Sequence, residues 1–530
     1  MKRWNGWGEE TVGLPLPQQA GVFLEKILGP GTPPRDVTLQ EAVSMVPPSR
    51  LPVHPLISAD ELVRLRHCAG HSLQDWINLR SGTVSTFPDG VAYPSSGEDV
   101  EEILRFAQST GSTIIPYGGG TSVVGHLSAP DGNRPVITVD MRRMNALLRI
   151  DPEGCLATFQ AGVRGPDLEA ALRAHGFTLG HYPQSFEYST LGGWVATRSA
   201  GQLSMGYGRI ERLFVGGAVA TPVGRLDLPV LPASAAGPDI KEFILGSEGR
   251  LGIITLATVR ITPLPQEEVF HAAFFPGQGQ AIQAVRELVQ SNVPLAMVRL
   301  SLPRETTTNL TLAGHSKMIS LLKRWLSIRG VGEDKCMIIY GASGSRKKNR
   351  WALARALEII KRHRGVPVGA RPGKEWHKNR FRAPYLRNSL WERGYAVDTL
   401  ETATTWNRVP GTVEAIESSL GSGLQETGEK VHVFTHLSHV YPHGSSIYTT
   451  YLYRLAASPE ETVRRWRILK GAASAAIVKC GGTISHQHGV GIDHLPQLEA
   501  EKGHLGIRMI GSLCQSLDPE GIMNPGKLVL

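Results

Sequence analysis

The 530-residue sequence is poor in cysteine and contains no CxxC motif. Its five cysteines are scattered along the chain: Cys68, Cys155, Cys336, Cys480 and Cys514. A disulfide framework or a zinc ribbon needs closely spaced cysteine pairs, so the sequence argues against both classes. The cysteine usage predicts a protein of a reducing compartment.

Long apolar runs and basic tails are also missing. No stretch of about 18 apolar residues occurs, so no membrane-spanning helix is expected, and the opening MKRWNGWGEE lacks the apolar region of a signal peptide. The net charge of +9 favours anionic ligands or an anionic membrane surface. Because no Lys/Arg-rich tail interleaved with aromatics is present, we expect no nucleic-acid partner. These features predict a cytoplasmic protein that can also rest on the inner membrane face.

The remaining composition is that of a globular α+β protein with several domains. Hydrophobic residues make up 41% and charged residues 19% of the chain, which is ordinary for an enzyme. A chain of this length forms more than one core. The pattern predicts an N-terminal unit over 1–83, in which a proline- and glycine-rich extended arm (1–56) precedes a helical pattern that begins at Ser58. It further predicts domains over 84–265 and 266–455, and a helical C-terminal segment over 456–530.

Two glycine-rich regions are the strongest local signals. In PYGGGTSVVG (116–125), consecutive backbone N–H groups can form an anion-binding nest, although the spacing fits neither a Rossmann nor a Walker loop. A second glycine-rich region (183–224) is followed by the turn GSEGRLGIIT (246–255). Together these loops offer enough donors to hold a pyrophosphate and the edge of a flat ring.

The order of these motifs resembles a known family. PYGGGTS, STLGGWVATRSAG, GSEGRLGIIT, HQHGVG and NPGKL follow one another as in the flavoprotein superfamily of vanillyl-alcohol oxidase. The segments RWNGWG, RHCAGHSLQDWINLRSG, LETATTWNRV and SHQHGVG resemble the alkyldihydroxyacetonephosphate synthase family nearly end to end. The resemblance implies non-covalently bound FAD, a two-subdomain FAD-binding domain, a ferredoxin-like α+β cap, a C-terminal helical lobe returning to the flavin, and a homodimer.

The resemblance also assigns flavin contacts to four runs of residues. These are Pro116, Tyr117, Gly118, Gly119, Gly120, Thr121 and Ser122; Gln184, Ser185, Phe186, Glu187, Tyr188, Ser189 and Thr190; Thr197, Arg198, Ser199 and Ala200; and Glu248, Gly249, Arg250, Leu251, Gly252, Ile253 and Ile254. Gln184 stands where the family has an acidic residue.

The family reaction exchanges the acyl chain of acyl-dihydroxyacetone phosphate for a long-chain alcohol without net electron transfer. Such an exchange needs a proton acceptor, a phosphate clamp and an apolar tunnel. The resemblance gives Tyr448 and His181 active-site positions and makes Arg387 the substrate-binding arginine. Arg299 lies in an apolar strand pattern, where an unpaired charge is costly, so we expect either a catalytic role or a buried ion pair.

The stretch TISHQHGVGIDH (483–494) concentrates histidines near the C-terminus. The resembled family has three consecutive histidines where this chain has His486, Gln487 and His488. Imidazoles move protons near neutral pH, and a glutamine can still form hydrogen bonds. We therefore place all three residues in the catalytic set.

A rival hypothesis is an FAD-linked D-2-hydroxyacid dehydrogenase or oxidase with a divalent metal. His436 and His443 have the spacing of the metal-binding pair in those enzymes, and His432 and His439 lie nearby. However, the intervening residues LSHVYP and the loop before HGVG lack the acidic residues of that family. The sequence therefore predicts no metal.

The segment 315–330 has the pattern of a basic amphipathic helix. Apolar residues recur with helical spacing among Lys317, Lys323, Arg324 and Arg329. The pattern fits either a core-packed helix or one that touches an anionic membrane and admits a lipid.

Overall fold

The structure, a computed structural model, describes residues 2–312 and 316–529. Its N-terminal segment contains α1 (Gln18–Leu28), α2 (Leu39–Ser44), β1 (Ile57–Ser58), α3 (Glu61–Leu65) and α4 (Leu73–Ser81). The expectation of an extended arm is thus wrong over α1 and α2. Leu24 and Leu28 of α1 are buried against Leu390 and Leu452 of a later domain, and this tertiary packing stabilises the helix.

The first domain is built on a four-stranded and a five-stranded sheet. Its elements are β2 (Gly90–Ala92), α5 (Gly97–Thr110), β3 (Thr113–Tyr117), β4 (Val136–Asp140), β5 (Leu147–Asp151), β6 (Leu156–Gln160), α6 (Gly165–Arg173), β7 (Phe177–Thr178), α7 (Leu191–Thr197), α8 (Ser204–Tyr207), α9 (Ile210–Leu213), β8 (Phe214–Thr221), β9 (Gly224–Leu228), α10 (Lys241–Ile244), β10 (Ile253–Arg260) and β11 (Thr262–Pro263). The strand orders are β1-β2-β4-β3 and β5-β6-β10-β8-β9. The glycine motifs occupy the loops after β3 and before β10.

The cap and the C-terminal lobe follow. The cap contains β12 (Glu267–Phe275), α11 (Gln278–Gln290), β13 (Met297–Ser301), α12 (Pro303–Leu312), α13 (Ser316–Ile328), β14 (Cys336–Gly344), α14 (Arg346–Arg362), β15 (Val366–Gly369), α15 (Arg371–Asn379), α16 (Leu386–Glu392), β16 (Tyr395–Thr405), α17 (Val409–Ser422), β17 (His432–Leu437), β18 (Val440–Tyr441) and β19 (Gly444–Arg454). The lobe adds α18 (Pro459–Lys479) and α19 (Leu495–Leu517). The cap strands form an antiparallel sheet in the order β15-β12-β14-β13-β17-β19-β16, and β18 pairs with β19.

The two faces of the cap sheet have different environments. Val433 and Leu437 of β17 and Tyr451 of β19 are buried in a core with α11, α14, α17 and α18. Phe434 and Tyr448, on the opposite face, line a cavity shared with the first domain. Because side chains alternate along a strand, the same strands supply both the core and a cavity wall.

The end of the chain returns to the first domain. The backbone N–H of Ile114 in β3 donates to the carbonyl of Ile522 at 2.7 Å, and the N–H of Asn524 donates back to Ile114 at 2.8 Å. These bonds place the NPGKL motif beside the loop that carries the first glycine run.

Candidate active site

A cavity of about 570 Å³ lies between the loops of the first domain and the open face of the cap sheet. Its volume is within the range of cofactor and small-molecule sites. Backbone-rich loops line the first-domain side, whereas side chains of β16, β17 and β19 line the cap side. Most of the residues singled out in the sequence meet here.

The glycines after β3 allow two loops to pack in contact. A Cβ on Gly118 would lie 2.3 Å from Oγ1 of Thr190, and one on Gly119 would lie 1.9 Å from the carbonyl oxygen of Tyr188. Gly120 has a φ of +72°, which favours glycine. The glycine run therefore brings its backbone to the cavity wall with no side chain in between, as an anion-binding nest requires.

The structure brings most of the assigned flavin contacts to this cavity. The lining residues among them are Pro116, Tyr117, Gly118, Gly119, Gly120, Thr121, Ser122, Gln184, Ser185, Ser189, Thr190, Thr197, Ser199, Ala200, Glu248, Gly249, Gly252, Ile253 and Ile254. Asn524, which the sequence did not single out, lines the same wall, and its Oδ1 is a buried acceptor without a hydrogen-bond partner. An orphaned acceptor beside a backbone cradle fits a bound FAD, which supplies donors.

Six of the assigned flavin contacts lie off the cavity wall. Phe186 stacks on Phe381, while Glu187 and Tyr188 contact the hydroxyl of Tyr385. The other three are placed as follows: Arg198 pairs with Glu242 at an open groove, Arg250 donates to the carbonyl of Met523, and Leu251 is buried in the core. Consecutive side chains of a loop point in different directions. Assigning every residue of a loop therefore overestimates the number that contact the flavin.

On the cap side, strand register places polar residues in one row. His436 of β17 lies opposite Ser301 of β13 and Tyr448 of β19, and Tyr448 lies opposite Glu401 of β16. Directly paired residues point to the same face of a sheet, with Cβ atoms about 5 Å apart. Ser301, His436, Tyr448 and Glu401 therefore form a polar row, and Glu401 is a member that the sequence did not reveal.

Tyr448 occupies the middle of the polar row. Its ring stacks on His436 with centroids 4.7 Å apart and meets the ring of His488 edge-on at 5.9 Å. Burial raises the pKa of Tyr448 above its ordinary value. The phenol is therefore protonated at neutral pH and can donate a hydrogen bond.

Arg299 forms the buried ion pair that was one of the two expectations. Its Nη2 lies 2.7 Å from Oε1 of Glu305, and Nδ1 of His436 lies 3.0 Å from the same oxygen. Burial alone would raise the pKa of Glu305, but the facing Arg299 and His436 outweigh it and lower that pKa to about 2. Glu305 follows Arg299 by six residues, across the turn from β13 into α12. An acidic residue so soon after a strand arginine was the sequence signal that could have identified the ion-pair partner.

Arg387 is a half-buried arginine whose guanidinium has unused donors. Its guanidinium lies over the ring of Trp76 at 4.4 Å, and its Nη1 donates to the carbonyl of His71 at 2.6 Å. Nε and Nη2 are buried without a partner. Burial lowers the pKa of Arg387 to about 10, so it remains a cation at neutral pH. An incompletely paired cation on a cavity wall fits an anionic group of a ligand.

His181 lies outside the cavity wall. Its ring contacts Trp194 at 4.8 Å, and its Nε2 lies 3.3 Å from Oγ of Ser199, which does line the cavity. Burial lowers the pKa of His181 to about 3, so the ring is neutral. His181 therefore contacts the flavin loop at Ser199 from outside the cavity.

The residues His486, Gln487 and His488 are distributed between two spaces. His488 lines the cavity, His486 lines an open groove of about 1720 Å³, and Gln487 lines both. Nδ1 of His486 lies 3.0 Å from Oε1 of Glu401, and its Nε2 lies 2.6 Å from the hydroxyl of Tyr441. Of the two histidines, His488 is therefore the one exposed to a ligand in the cavity.

The structure separates the two histidines of the metal hypothesis. His436 lines the cavity, whereas His443 lines the groove. Within residues 2–312 and 316–529, a group that could hold an ion is instead Glu401, His439 and His486, whose ligand atoms lie within 4.8 Å of one another.

Arg209 disfavours a metal at this second group. Its Nη1 lies 3.0 Å from Nε2 of His486. A guanidinium can only donate, so Nε2 accepts and the imidazole proton is on Nδ1, the nitrogen that faces Glu401. A protonated nitrogen cannot ligate an ion. The geometry therefore favours a carboxylate–imidazole pair.

The cavity continues into an apolar arm, as expected of a lipid tunnel. The ring of His432 contacts both Phe23 and Phe434 in this arm. The apolar residues that line it are Leu16, Phe23, Leu24, Leu312, Leu386, Leu390, Val397, Phe434 and Leu452. These side chains come from the residues just before α1, from α1, α12 and α16, and from the open face of the cap sheet. The unforeseen helix α1 is therefore part of the tunnel wall.

The amphipathic segment forms α13, while its first predicted residue, His315, lies outside the described residues. Leu326 is buried, whereas Leu321 and Ile328 are 69% and 77% exposed and Trp325 lies beneath the guanidinium of Arg329. None of the helices in the described part of the chain is both long and apolar enough to cross a membrane. One face of α13 thus packs on the cap and the other is open.

Comparisons with known proteins agree with this architecture. Residues 88–227 match the family described as FAD binding domain, and residues 264–528 match FAD linked oxidases, C-terminal domain. An alkyldihydroxyacetonephosphate synthase of Dictyostelium discoideum is 31% identical over 570 aligned residues, covering 99% of this chain and 93% of that protein. A solved structure of an alkyldihydroxyacetonephosphate synthase superposes with a TM-score of 0.84 at 28% identity, covering 99% of each chain. A mitochondrial D-lactate dehydrogenase (cytochrome) of Arabidopsis thaliana is 26% identical, covering 83% of this chain and 73% of that protein.

The fold and the glycine cradle define an FAD-binding protein with a cap domain. The near full-length match at 31% identity shows that the chain belongs to the alkyldihydroxyacetonephosphate synthase family. The α+β fold class, the FAD cofactor and the family resemblance predicted from the sequence are thus confirmed.

The contact between the two glycine-loop segments generates a prediction. Gly119→Ala places a Cβ against the carbonyl of Tyr188 and forces the loops apart, so we expect FAD affinity to fall by about tenfold or more. Flavin fluorescence titration of the apoprotein measures this. Gly97→Ala is the matched control, because a Cβ there meets no atom within 4 Å. Equal FAD affinity in the two variants would contradict the role of the cradle.

Proposed function

We propose that this protein exchanges the acyl chain of acyl-dihydroxyacetone phosphate for a long-chain alcohol and so forms an ether bond. One observation carries the proposal: a single cavity joins an incompletely paired arginine, a polar row and an apolar arm. This combination matches a ligand with an anionic group at one end and a long alkyl chain at the other. The names of the relatives support the same reaction.

The proposed binding mode follows from the chemistry of the walls. Arg387 offers Nε and Nη2 to the phosphate, and a planar guanidinium suits bidentate recognition of such an anion. The alkyl chain lies in the apolar arm, along Phe434 and Leu452. Burial of each methylene contributes about 0.8 kcal/mol, so a long chain can be held without polar contacts.

Tyr448 of the polar row and the neighbouring His488 and Gln487 handle protons in this proposal. Burial lowers the pKa of His488, so its imidazole is unprotonated near neutral pH and can accept a proton from the alcohol. The protonated Tyr448 donates a hydrogen bond to a substrate oxygen, and Gln487 can orient the same atoms. Arg299 holds His436 against Tyr448 through Glu305, while His486 and His181 act from outside the cavity.

FAD is held in this proposal by the loops of 116–122, 184–190, 197–200 and 248–254. When bound, it supplies the ring that takes part in the exchange without net electron transfer. The cap sheet and α1 exclude water from the same space, which protects an ester from hydrolysis. The boundaries 84–265 for the FAD-binding domain, 266–455 for the cap and 456–530 for the lobe are part of the proposal.

The alternative is an FAD-dependent D-2-hydroxyacid dehydrogenase with a bound metal. The similarity to a D-lactate dehydrogenase favours it, whereas the separation of His436 from His443 and the donors of Arg209 at His486 disfavour it. An apolar arm has no use in binding a short hydroxyacid.

One experiment separates the two functions. The FAD-loaded protein, incubated anaerobically with palmitoyl-dihydroxyacetone phosphate and hexadecanol, is expected to form the ether product while the flavin ends oxidised. Mass spectrometry measures the ether product, and the visible spectrum measures the oxidation state of the flavin. A chelator should change neither result. Bleaching of the flavin by a D-2-hydroxyacid, abolished by the chelator and without ether formation, would establish the alternative.

Replacement of the phosphate ligand gives a second prediction. Arg387→Met keeps the length and removes the charge, so we expect the KM for the acyl substrate to rise about 10- to 150-fold, since a hydrogen bond to a charged group contributes about 1.5–3 kcal/mol. Steady-state kinetics measure this, with the exposed Arg149→Met as control. An unchanged KM in both variants would remove Arg387 from substrate binding.

We further propose that the cytoplasmic protein binds the inner membrane face through α13 and acts as a homodimer. The exposed Leu321 and Ile328 lie among basic residues, and the preceding helix α12 ends at Leu312 of the apolar arm. A lipid entering beside α13 would thus meet the tunnel. Light scattering against the chain mass of 57.5 kDa tests the dimer.

The membrane contact is tested with vesicles of phosphatidylcholine and phosphatidylglycerol. Leu321→Glu combined with Ile328→Glu should reduce co-sedimentation about tenfold, because two apolar side chains leave the interface and two negative charges replace them. The control combines Leu505→Glu with Met509→Glu, both 70% exposed on α19. Similar losses in both double variants would show that binding does not use α13.

A further inference from the structure

Glu248 has contacts that its place in a flavin loop did not predict. Its carboxylate accepts hydrogen bonds from the backbone N–H groups of Val490 and Gly491, the latter at 2.8 Å. These donors lie 242 and 243 residues further along the chain, separated from His488 only by Gly489. The side chain is 2% exposed, and its backbone φ of +53° is unusual for a residue other than glycine. A buried carboxylate thus fixes the loop that carries the cavity histidine.

The glycines of the HGVG motif fit this arrangement. A Cβ on Gly489 would lie 2.8 Å from Oε1 of Glu248 and from Cε1 of His126, and Gly489 has a φ of +84°. A Cβ on Gly491 would lie 1.9 Å from the carbonyl oxygen of Val124. Only glycines let the loop close over the carboxylate and the chain beside it.

The same carboxylate also reaches the first glycine loop. Oε2 of Glu248 lies 2.9 Å from Nε2 of His126, and Nδ1 of that imidazole lies 2.7 Å from Oγ of Ser122. Ser122 lines the cavity at the end of the glycine run. These close contacts join the flavin cradle, through His126 and Glu248, to the backbone that follows His488.

We infer that Glu248 is a positioning residue that sets His488 relative to the flavin cradle. Its carboxylate holds the backbone of 490–491, and His126 ties that carboxylate to Ser122, so the two loops are placed as one unit. This inference rests on the proposed role of His488. Glu248 was expected to contact FAD; here its backbone lies on the cavity wall while its carboxylate is used on the histidine loop.

The test compares Glu248→Gln with the matched variant Glu169→Gln. Glu169 is also a buried carboxylate of the first domain that accepts from two backbone N–H groups, those of Leu179 and Gly180, both at 3.0 Å. In the FAD-loaded protein, hydrogen–deuterium exchange of 486–491 should be about tenfold faster in Glu248→Gln and unchanged in Glu169→Gln. Equal exchange in wild type and Glu248→Gln would overturn the inference, as would equal acceleration in both variants.

Kinetics and cofactor removal supply independent readouts. In Glu248→Gln, kcat should fall about 100-fold with KM within about threefold, because a misplaced histidine affects the chemical step more than binding. Removing FAD from the wild type should speed exchange of 486–491; no effect would overturn the link to Ser122. If the wild type forms no ether product, the proposed function fails, whereas the exchange comparison still decides whether Glu248 positions the loop.

Discussion

The backbone ladder joining β17, β19 and β16 sets the geometry on which the candidate site depends. It places His436, Tyr448 and Glu401 side by side on the face that meets the first domain. A slip of one residue in β19 would turn Tyr448 into the helix-covered core and bring Tyr451 or Ile447 to the cavity. The register is fixed because the opposite face is buried and mostly apolar, and its few polar groups pair with one another, as Thr435 does with Thr449 and Tyr451 with Asp398. The core therefore decides which side chains reach the ligand.

The burial of charge distinguishes structural from functional arginines. Arg299 and Arg387 are both removed from water, but only Arg299 has a carboxylate partner at ion-pair distance, Glu305. The cost of desolvating Arg299 is thus offset within the protein. Arg387 retains unpaired donors, so its desolvation is not offset within the protein. A ligand that supplies an anion can offset it. The difference between the two could not be read from the sequence, since both arginines occur in apolar surroundings.

Local motifs were predictable, whereas long-range pairs were not. The glycine cradle follows from turn chemistry, and α13 follows from the helical spacing of apolar residues in 315–330. Glu401 and the carboxylate role of Glu248 escaped notice because each depends on a partner far along the chain, and a single acidic residue carries no local signal. Glu305 differs, since it lies only six residues after its partner Arg299. The helix α1 was missed because its stability comes from packing on the cap rather than from its proline-rich surroundings.

The histidines show the same limit. Spacing alone paired His436 with His443, but β17 ends at Leu437 and the following turn carries His443 to the groove. The family resemblance likewise grouped His486 with His488, but His486 lines the groove and His488 lines the cavity. Whether a side chain lines the cavity or the groove depends on the tertiary fold, and the separation of residues along the sequence does not predict it.

The central claim is that one cavity binds the phosphate at Arg387 and the alkyl chain along the open face of the cap sheet. A crystal structure of the FAD-loaded protein with hexadecyl-dihydroxyacetone phosphate tests it most directly. The account predicts the phosphate within hydrogen-bond distance of the Arg387 guanidinium and the chain between α1 and Phe434. A phosphate bound in the groove, or a chain lying outside the arm, would contradict it.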